Sequence, residues 1–326
     1  MLYFCLITFK ILVTETFFNT SFISKNQKIT SALLKKKGVE LYLKREDEIH
    51  PHVSGNKFRK LKYNIAEAKK QHKTTLLTFG GAFSNHIVAT AVAGKLAGFK
   101  TIGIVRGDEL KNNFNETLKN NPTLQKAHEN GMFLEFVSRY EYREKSTRAY
   151  QEKLTQQFGD FYLIPEGGTN NLAIKGCEEI LSEEDLKFDY ICCAVGTGGT
   201  ISGLINASVE KQQIVGFPAL KGNFLENEVS LFAKKENWVL QKDYHFGGYA
   251  KYNDELIAFI NNFKQQTNIL LDPIYTGKML FGILDLIEKN HFKEGSTILA
   301  IHTGGIQGIV GINNKLKKKN KAIIQL

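Results

Sequence analysis

Gly196-Thr197-Gly198-Gly199-Thr200 follows the apolar run Tyr190–Val195 and opens a helical pattern. Backbone N–H groups at a helix start, together with two threonine hydroxyls, make a cradle for a phosphate. The segment is not the dinucleotide pattern G-x-G-x-x-G, because Ile201 stands at the third glycine, and no Walker loop occurs. Any phosphorylated ligand would suit it. Ser54-Gly55-Asn56-Lys57-Phe58-Arg59-Lys60 places a lysine at a helix start, since Gly55 and Asn56 favour a turn and Phe58, Leu61, Ile65 and Ala68 recur at helical spacing. A single lysine in a lysine-rich chain is ordinarily solvated. Lys57 at a helix start beside a desolvated cleft would have a lowered pKa and could condense with an aldehyde.

Gly80-Gly81-Ala82-Phe83-Ser84-Asn85-His86 brings a hydroxyl, an amide and an imidazole to one strand exit. Ser84 reads first as the N-cap of the next helix. The N–H groups and the serine hydroxyl there could also hold a carboxylate. A Ser-His-Asp hydrolase is disfavoured, because no G-x-S-x-G elbow surrounds Ser84. Tyr275-Thr276-Gly277-Lys278 and Gly247-Gly248-Tyr249 stand out less, since a tyrosine after an apolar run is ordinarily core.

The elements that must position these groups alternate between strand and helix from about Lys73 onward. Strands are expected at Thr75–Phe79, Thr101–Val105, Phe133–Val137, Phe161–Ile164, Tyr190–Val195, Ile214–Phe217, Val239–Phe246 and Thr297–His302. Helices are expected at Asn85–Ala97, Tyr140–Phe158, Leu172–Leu181, Glu226–Glu236, Asp254–Gln266 and Lys278–Asn290. Such alternation reads as βαβ units, an α/β class with mostly parallel sheets covered on both faces. Four strands run into glycine: at Gly80-Gly81, at Gly167-Gly168 after Pro165-Glu166, at Gly196, and at Gly304-Gly305 after His302-Thr303. Ligands of open α/β sheets bind beyond the carboxyl ends of strands, where glycine lets backbone approach closely. One such exit is routine; four bearing hydroxyl or amide side chains point to an assembled site.

The chain has 326 residues, 42% of them hydrophobic and 23% charged, which excludes disorder as the main state and allows one large or two medium domains. The net charge of +10 raises a nucleic-acid partner, yet only six of the 43 basic residues are arginine and the lysines are dispersed. Phosphate readers lean on arginine forks, so the charge reads as solvated surface and no nucleic acid is expected. Cys5, Cys177, Cys192 and Cys193 form no C-x-x-C pair, so neither a disulfide framework nor a metal site is expected. The apolar start, Met1 to Val13, is interrupted by Lys10 and shorter than the roughly 20 residues of a membrane span. It reads as a peripheral strand or helix, or an extension.

The segments 44–64 (KREDEIHPHVSGNKFRKLKYN), 78–86 (TFGGAFSNH), 165–170 (PEGGTN), 196–200 (GTGGT), 247–252 (GGYAKY), 272–278 (DPIYTGK) and 302–305 (HTGG) occur in the order of one family. The chain resembles the 1-aminocyclopropane-1-carboxylate deaminase/D-cysteine desulfhydrase family of pyridoxal phosphate enzymes, from about residue 28 to 314. The resemblance implies the tryptophan synthase β-like fold, fold type II: two open, twisted, mostly parallel-sheet domains with the cofactor in the cleft between them. Residues 1–27 would be an extension, 28–60 with 169–326 a large cofactor-binding domain, and 61–168 a small domain.

By the same resemblance, Lys57 matches the lysine that holds the cofactor covalently, and Asn85 the residue on the pyridine 3′-oxygen. Gly196, Thr197, Gly198, Gly199 and Thr200 match the phosphate loop. Ser84, Asn85 and His86 match the segment receiving the substrate carboxylate, Tyr249 and Tyr275 the tyrosines lining the substrate side, and Thr303 a position beside the pyridine nitrogen. The deaminase branch would carry Glu and Leu where this chain has Thr276 and Thr303, so it looks like the desulfhydrase branch. A carboxylate near the pyridine nitrogen favours its protonated form and a strong electron sink, and a neutral Thr303 hydroxyl does not supply that charge. Loss of a thiolate needs a weaker sink than opening a cyclopropane.

The implied reaction is elimination from a small amino acid, D-cysteine first, to pyruvate, hydrogen sulfide and ammonia, with Lys57 taking the Cα proton and Ser84, Tyr249 or Tyr275 serving the substrate. Alternatives are ring opening of 1-aminocyclopropane-1-carboxylate to 2-oxobutyrate, or a broader D-amino acid lyase acting on D-serine or β-chloro-D-alanine. A nicotinamide dehydrogenase, a polyanion binder and a cofactor-binding homologue without turnover are weaker readings. A cytoplasmic homodimer with no membrane partner completes the expectation.

Overall fold

A computed structural model describes residues 22–50, 53 and 55–326. Ser54 and the apolar start, Met1 to Val13, lie outside the described residues. Along the chain run β1 (Asn26–Ile29), α1 (Ala32–Lys37), β2 (Glu40–Lys44), α2 (Asn56–Lys70), β3 (Thr75–Gly81), α3 (Asn85–Ala97), β4 (Lys100–Arg106), α4 (Phe114–Asn120), α5 (Pro122–Glu129), β5 (Met132–Val137), α6 (Arg139–Arg143), α7 (Arg148–Phe158), β6 (Tyr162–Ile164), α8 (Asn171–Glu178), β7 (Tyr190–Val195), α9 (Gly199–Ala207), β8 (Gln213–Pro218), α10 (Phe224–Ser230), β9 (Trp238–Leu240), α11 (Asp254–Thr267), α12 (Thr276–Glu288), β10 (Thr297–Ile301) and α13 (Ile309–Lys318). They form two compact units: Ser24–Lys60 with Thr169–Leu326, and Leu61–Gly168. The boundary after Lys60 falls inside α2.

The larger unit holds a six-stranded sheet of order β1-β2-β10-β7-β8-β9, parallel except for the β1–β2 pair. Asn26 and Gln27, on the extension side of the boundary set by the motifs, are paired in it with Lys44 and Leu43. The side-chain period of two sends alternate residues to opposite faces, and both faces are covered. Cys192 and Ala194 of β7 and Ile298 and Ala300 of β10 pack with Leu256, Ile260 and Met279. Ile191, Cys193 and Val195, with Leu299 and Ile301, pack with Ile201 and Leu204 on the other side. Order reverses where β10 inserts beside β7, which puts the Gly196 and His302 exits at the switch point where ligands of such sheets bind.

The smaller unit holds a four-stranded parallel sheet of order β5-β4-β3-β6. Leu77, Phe79, Ile102 and Ile104 face Tyr150 and Leu154 of α7, while Val105, Leu134 and Phe136 face Ile87 of α3 and Leu124 of α5. Here the order reverses between β3 and β6, whose exits are the Gly80 and Gly167 segments.

Three expected elements differ. The strand expected over Val239–Phe246 stops at Leu240; Lys242–Tyr244 is a 3₁₀ turn whose Tyr244 hydroxyl donates to Asp285 at 2.6 Å, and Phe246 has φ of 53°. The helix expected over Tyr140–Phe158 is broken by a 3₁₀ turn at Glu144–Ser146, because Thr147 leaves the helix to cap α7, accepting from the Tyr150 N–H at 3.3 Å. The helix expected over Glu226–Glu236 ends at Ser230. Strands β1 and β2 and helices α4 and α5 carry too little periodicity to announce themselves in the sequence.

Candidate active site

Within the larger unit, segments far apart in sequence meet around Lys57. Gly55 has φ of +60°, and a Cβ there would lie 2.0 Å from the Thr303 carbonyl oxygen, so only glycine lets the start of α2 pass the β10 exit. Asn56 then links two site segments. Its side-chain nitrogen donates to the Thr200 hydroxyl at 2.8 Å, and its oxygen accepts from Lys57 Nζ at 2.8 Å. Burial, and then the Lys60 ammonium, push the Lys57 amine down to about 7. A lysine poised near neutrality is a nucleophile and base at working pH, which a solvated one is not.

Gly198 takes φ of +81° as the N-cap of α9, and no side chain caps the helix among the described residues. The first N–H groups of α9 are therefore left for a ligand. Lys60, one helical turn beyond Lys57 and 3% exposed, donates to the Thr169 hydroxyl at 3.1 Å and to that of Thr197 at 3.5 Å. The two hydroxyls are 2.7 Å apart. A Cβ on Gly199 would lie 2.8 Å from Thr169 Oγ1 and 3.2 Å from Lys60 Nζ. Bare backbone, hydroxyls and a buried cation whose pKa burial has lowered make a cradle whose donor set fits a phosphate.

A Cβ on Gly196 would lie 3.2 Å from the Tyr275 ring, and that ring meets Tyr249 edge to face at 6.2 Å between centroids. Tyr249 is 41% exposed. Its segment is unusual: Phe246, Gly247, Gly248 and Ala250 have φ of 53°, 89°, 113° and 55°. Lys278 holds it in place, donating from a buried Nζ to the His245 and Gly248 carbonyls at 2.8 and 2.9 Å. Burial lowers Lys278 to about 8 against the pull of the Asp272 carboxylate.

Thr276, expected among the substrate-binding residues, has its hydroxyl engaged within the larger unit. It is fully buried, and its hydroxyl donates to Asp272 Oδ2 at 2.8 Å and accepts from the Asp272 N–H at 3.0 Å. Asp272 also accepts from the N–H groups of Ile274, Tyr275 and Thr276, tying down the first turn of α12. Thr303, 9% exposed, is placed in the β10 exit.

In the smaller unit, Ser84 caps α3 through the Ile87 N–H at 3.4 Å, which leaves its own proton for another acceptor. Asn85 carries a buried amide oxygen with no hydrogen-bond partner among the described residues. The His86 side chain points into its own unit: it is 2% exposed, and Nε2 lies 2.9 Å from Thr78 Oγ1, which itself donates to the Ile164 carbonyl. Since the hydroxyl proton is spent there, Nε2 is the donor. The imidazole is thus engaged within its own unit, and what the segment offers a carboxylate is its backbone N–H groups and the Ser84 hydroxyl.

Sequence reading missed Asn56, Lys60, Thr169 and Lys278. The signal for Lys60 was its i, i+3 spacing from Lys57. Asn56 looked like a turn residue and Lys278 like one more surface lysine.

A family profile described as pyridoxal-phosphate dependent enzyme matches residues 23–304. The bifunctional D-cysteine desulfhydrase/1-aminocyclopropane-1-carboxylate deaminase, mitochondrial, of Arabidopsis thaliana is 33% identical over 297 residues, covering 83% of this chain and 74% of that protein. A putative 1-aminocyclopropane-1-carboxylate deaminase of Pyrococcus horikoshii is 32% identical over 301 residues, covering 86% of this chain and 88% of that protein. The crystal structure of an ACC deaminase homologue superimposes with a TM-score of 0.75 at 30% identity, over 91% of this chain and 94% of that one. The chain belongs to the family of pyridoxal-phosphate dependent enzymes, with the mixed α/β fold of that group.

Proposed function

We propose that the protein catalyses α,β-elimination on a small amino acid, D-cysteine before others, giving pyruvate, hydrogen sulfide and ammonia with one water consumed. The observation that carries this reading is the joining of Lys57, through Asn56, to the Thr200 end of an uncapped helix start. Pyridoxal phosphate, when bound, supplies the electron sink that makes the Cα proton acidic. The loop Gly196–Thr200 with Lys60 would hold its phosphate and Lys57 its aldehyde carbon. Asn85 would donate from its amide nitrogen to the ring 3′-oxygen.

The neutral Lys57 amine takes the Cα proton, held in line by Asn56 Oδ1. Ser84 donates its free hydroxyl proton to the substrate carboxylate, and backbone N–H groups at the start of α3 add to that hold. Tyr249 and Tyr275 present phenols on the leaving-group side, with orientation fixed by their edge-to-face contact. Thr303 keeps the ring-nitrogen side neutral, which suits a thiolate leaving group. The Arabidopsis thaliana relative is named for both desulfhydration and cyclopropane deamination, and the Pyrococcus horikoshii relative for the latter alone, so the names support the class of reaction. A homodimer in the cytoplasm is part of the same proposal, checked by sedimentation and by localising the full chain.

The deciding experiment offers D-cysteine, L-cysteine and 1-aminocyclopropane-1-carboxylate separately to the cofactor-loaded protein. Pyruvate and sulfide should appear fastest from D-cysteine. Faster 2-oxobutyrate formation from the cyclopropane would replace desulfhydration by ring opening.

A further inference from the structure

The smaller unit has a concave pocket of about 520 Å³ at the carboxyl ends of its parallel strands. Its charged lining is Arg106 at the end of β4, Glu109, Arg139 and Arg143 of α6, Lys145, and Glu166 beyond β6. Three of the six arginines of the whole chain therefore converge on one hollow. In a chain whose positive charge is mostly lysine, that concentration is specific.

Two of the cations are already neutralised. Arg139 makes a two-pronged pair with Glu109, at 2.6 and 3.1 Å, and Lys145 lies 3.4 Å from Glu166. Arg106 and Arg143 have no carboxylate partner among the described residues. The lining thus carries a net charge of two positives, counted as four cations less two carboxylates. The Arg106 guanidinium and the Lys145 ammonium also share one aromatic ring, at 5.6 and 5.0 Å from the Tyr142 centroid. Tyr142 is buried at 3% exposure, so this floor is fixed. Holding like charges over one ring costs energy that a bound anion offsets. A guanidinium fork matches two oxygens of one carboxylate or phosphate, and the volume lies in the range of small-ligand pockets.

We infer that this pocket is a binding site for a small oxyanion, a carboxylate or phosphate dianion, held by Arg106 and Arg143. It goes beyond the proposed elimination, since none of its charged side chains was assigned to cofactor or substrate. The test uses the cofactor-loaded protein, so that the phosphate cradle around Lys60 is filled. Arginine labelling with phenylglyoxal is followed by peptide mass, with inorganic phosphate or succinate added at constant ionic strength against chloride. Labelling of Arg106 and Arg143 should slow about tenfold at a probe concentration about ten times its Kd. Arg148, whose side chain is 93% exposed, should label at an unchanged rate. Slowing by phosphate alone or by succinate alone supports the site and assigns its ligand. Equal slowing by chloride, parallel slowing at Arg148, or no slowing with either probe overturns it. Calorimetric titration of a folded R106A/R143A variant should show the binding gone, and retained binding would also overturn it.

Discussion

Lys57 and Lys60 lie one helical turn apart, yet their environments give them different tasks. Burial and the neighbouring ammonium leave Lys57 neutral above about 7 and protonated below it. The neutral form attacks a carbonyl, so cofactor loading of the apoprotein should quicken as pH rises towards 7 and level off above it. An ordinary lysine would keep gaining rate towards its usual value of about 10.4; stopped-flow absorbance across pH separates the two. Borohydride reduction of the loaded protein should fix the cofactor to the peptide bearing Lys57. Lys60 has no aldehyde to meet and is surrounded by hydroxyls and glycine backbone. Replacing it by methionine removes a charge-assisted bond worth about 1.5–3 kcal/mol. Lys60→Met should therefore bind the cofactor roughly 10–100-fold more weakly in spectrophotometric titration. The motifs made Lys57 legible, because glycine and asparagine before a helix are unusual company for a solvated lysine. Lys60 was hidden by the 43 basic residues around it in the count.

At the scale of elements, the Tyr249 segment shows why a loop can be rigid without being regular. Phe246 and Ala250 occupy left-handed backbone, at about 1–2 kcal/mol each for a side chain with Cβ. Lys278 on α12 offsets that cost by satisfying two carbonyls from a buried position. Tyr275 is the N-cap of the same helix, so one element fixes both tyrosines. Lys278→Met should let the segment relax and lower kcat about tenfold or more, given about 1–3 kcal/mol for each buried group left unpaired. Cofactor affinity should move by less than about twofold, because the cradle lies on α2 and α9, and sites without shared partners add independently. The sequence marked the glycines here and even extended a strand up to them, since Tyr244, His245 and Phe246 look β-prone. Positive φ at Phe246 is decided by the carbonyls that Lys278 collects, which no local pattern announces.

For the whole molecule, a buried ion pair ties β2 of the larger sheet to the segment before β7. Lys44 at the end of β2 meets Asp185 at 2.7 Å, with both side chains 1% exposed. Asp185 also accepts from Asn26 of β1 and from Ser182. Removing one partner strands a charge out of water, at about 3–5 kcal/mol. Lys44→Met should lower the unfolding free energy by that amount in chemical denaturation, and a change within about 0.5 kcal/mol would show the pair to be dispensable. Among the described residues no helix is long and apolar enough to cross a membrane, and no cluster of metal-ligating side chains occurs.

The sequence by itself determined the α/β class, the four glycine exits and the order of motifs around Lys57, because these follow from local periodicity and from residue types with few other uses. It could not decide which exits share a switch point. That depended on β10 crossing the chain to lie between β2 and β7, and on β6 returning beside β3. Nor could it tell that Thr276 closes onto Asp272, that His86 turns inward to Thr78, or that Asn56 spans Lys57 and Thr200. Spacing does not choose these partners, whether they lie 144 positions apart, as Asn56 and Thr200 do, or only 4 and 8, as Thr276–Asp272 and His86–Thr78 do; they are chosen only when the packed sheets exclude water and each buried polar group must find a partner within reach.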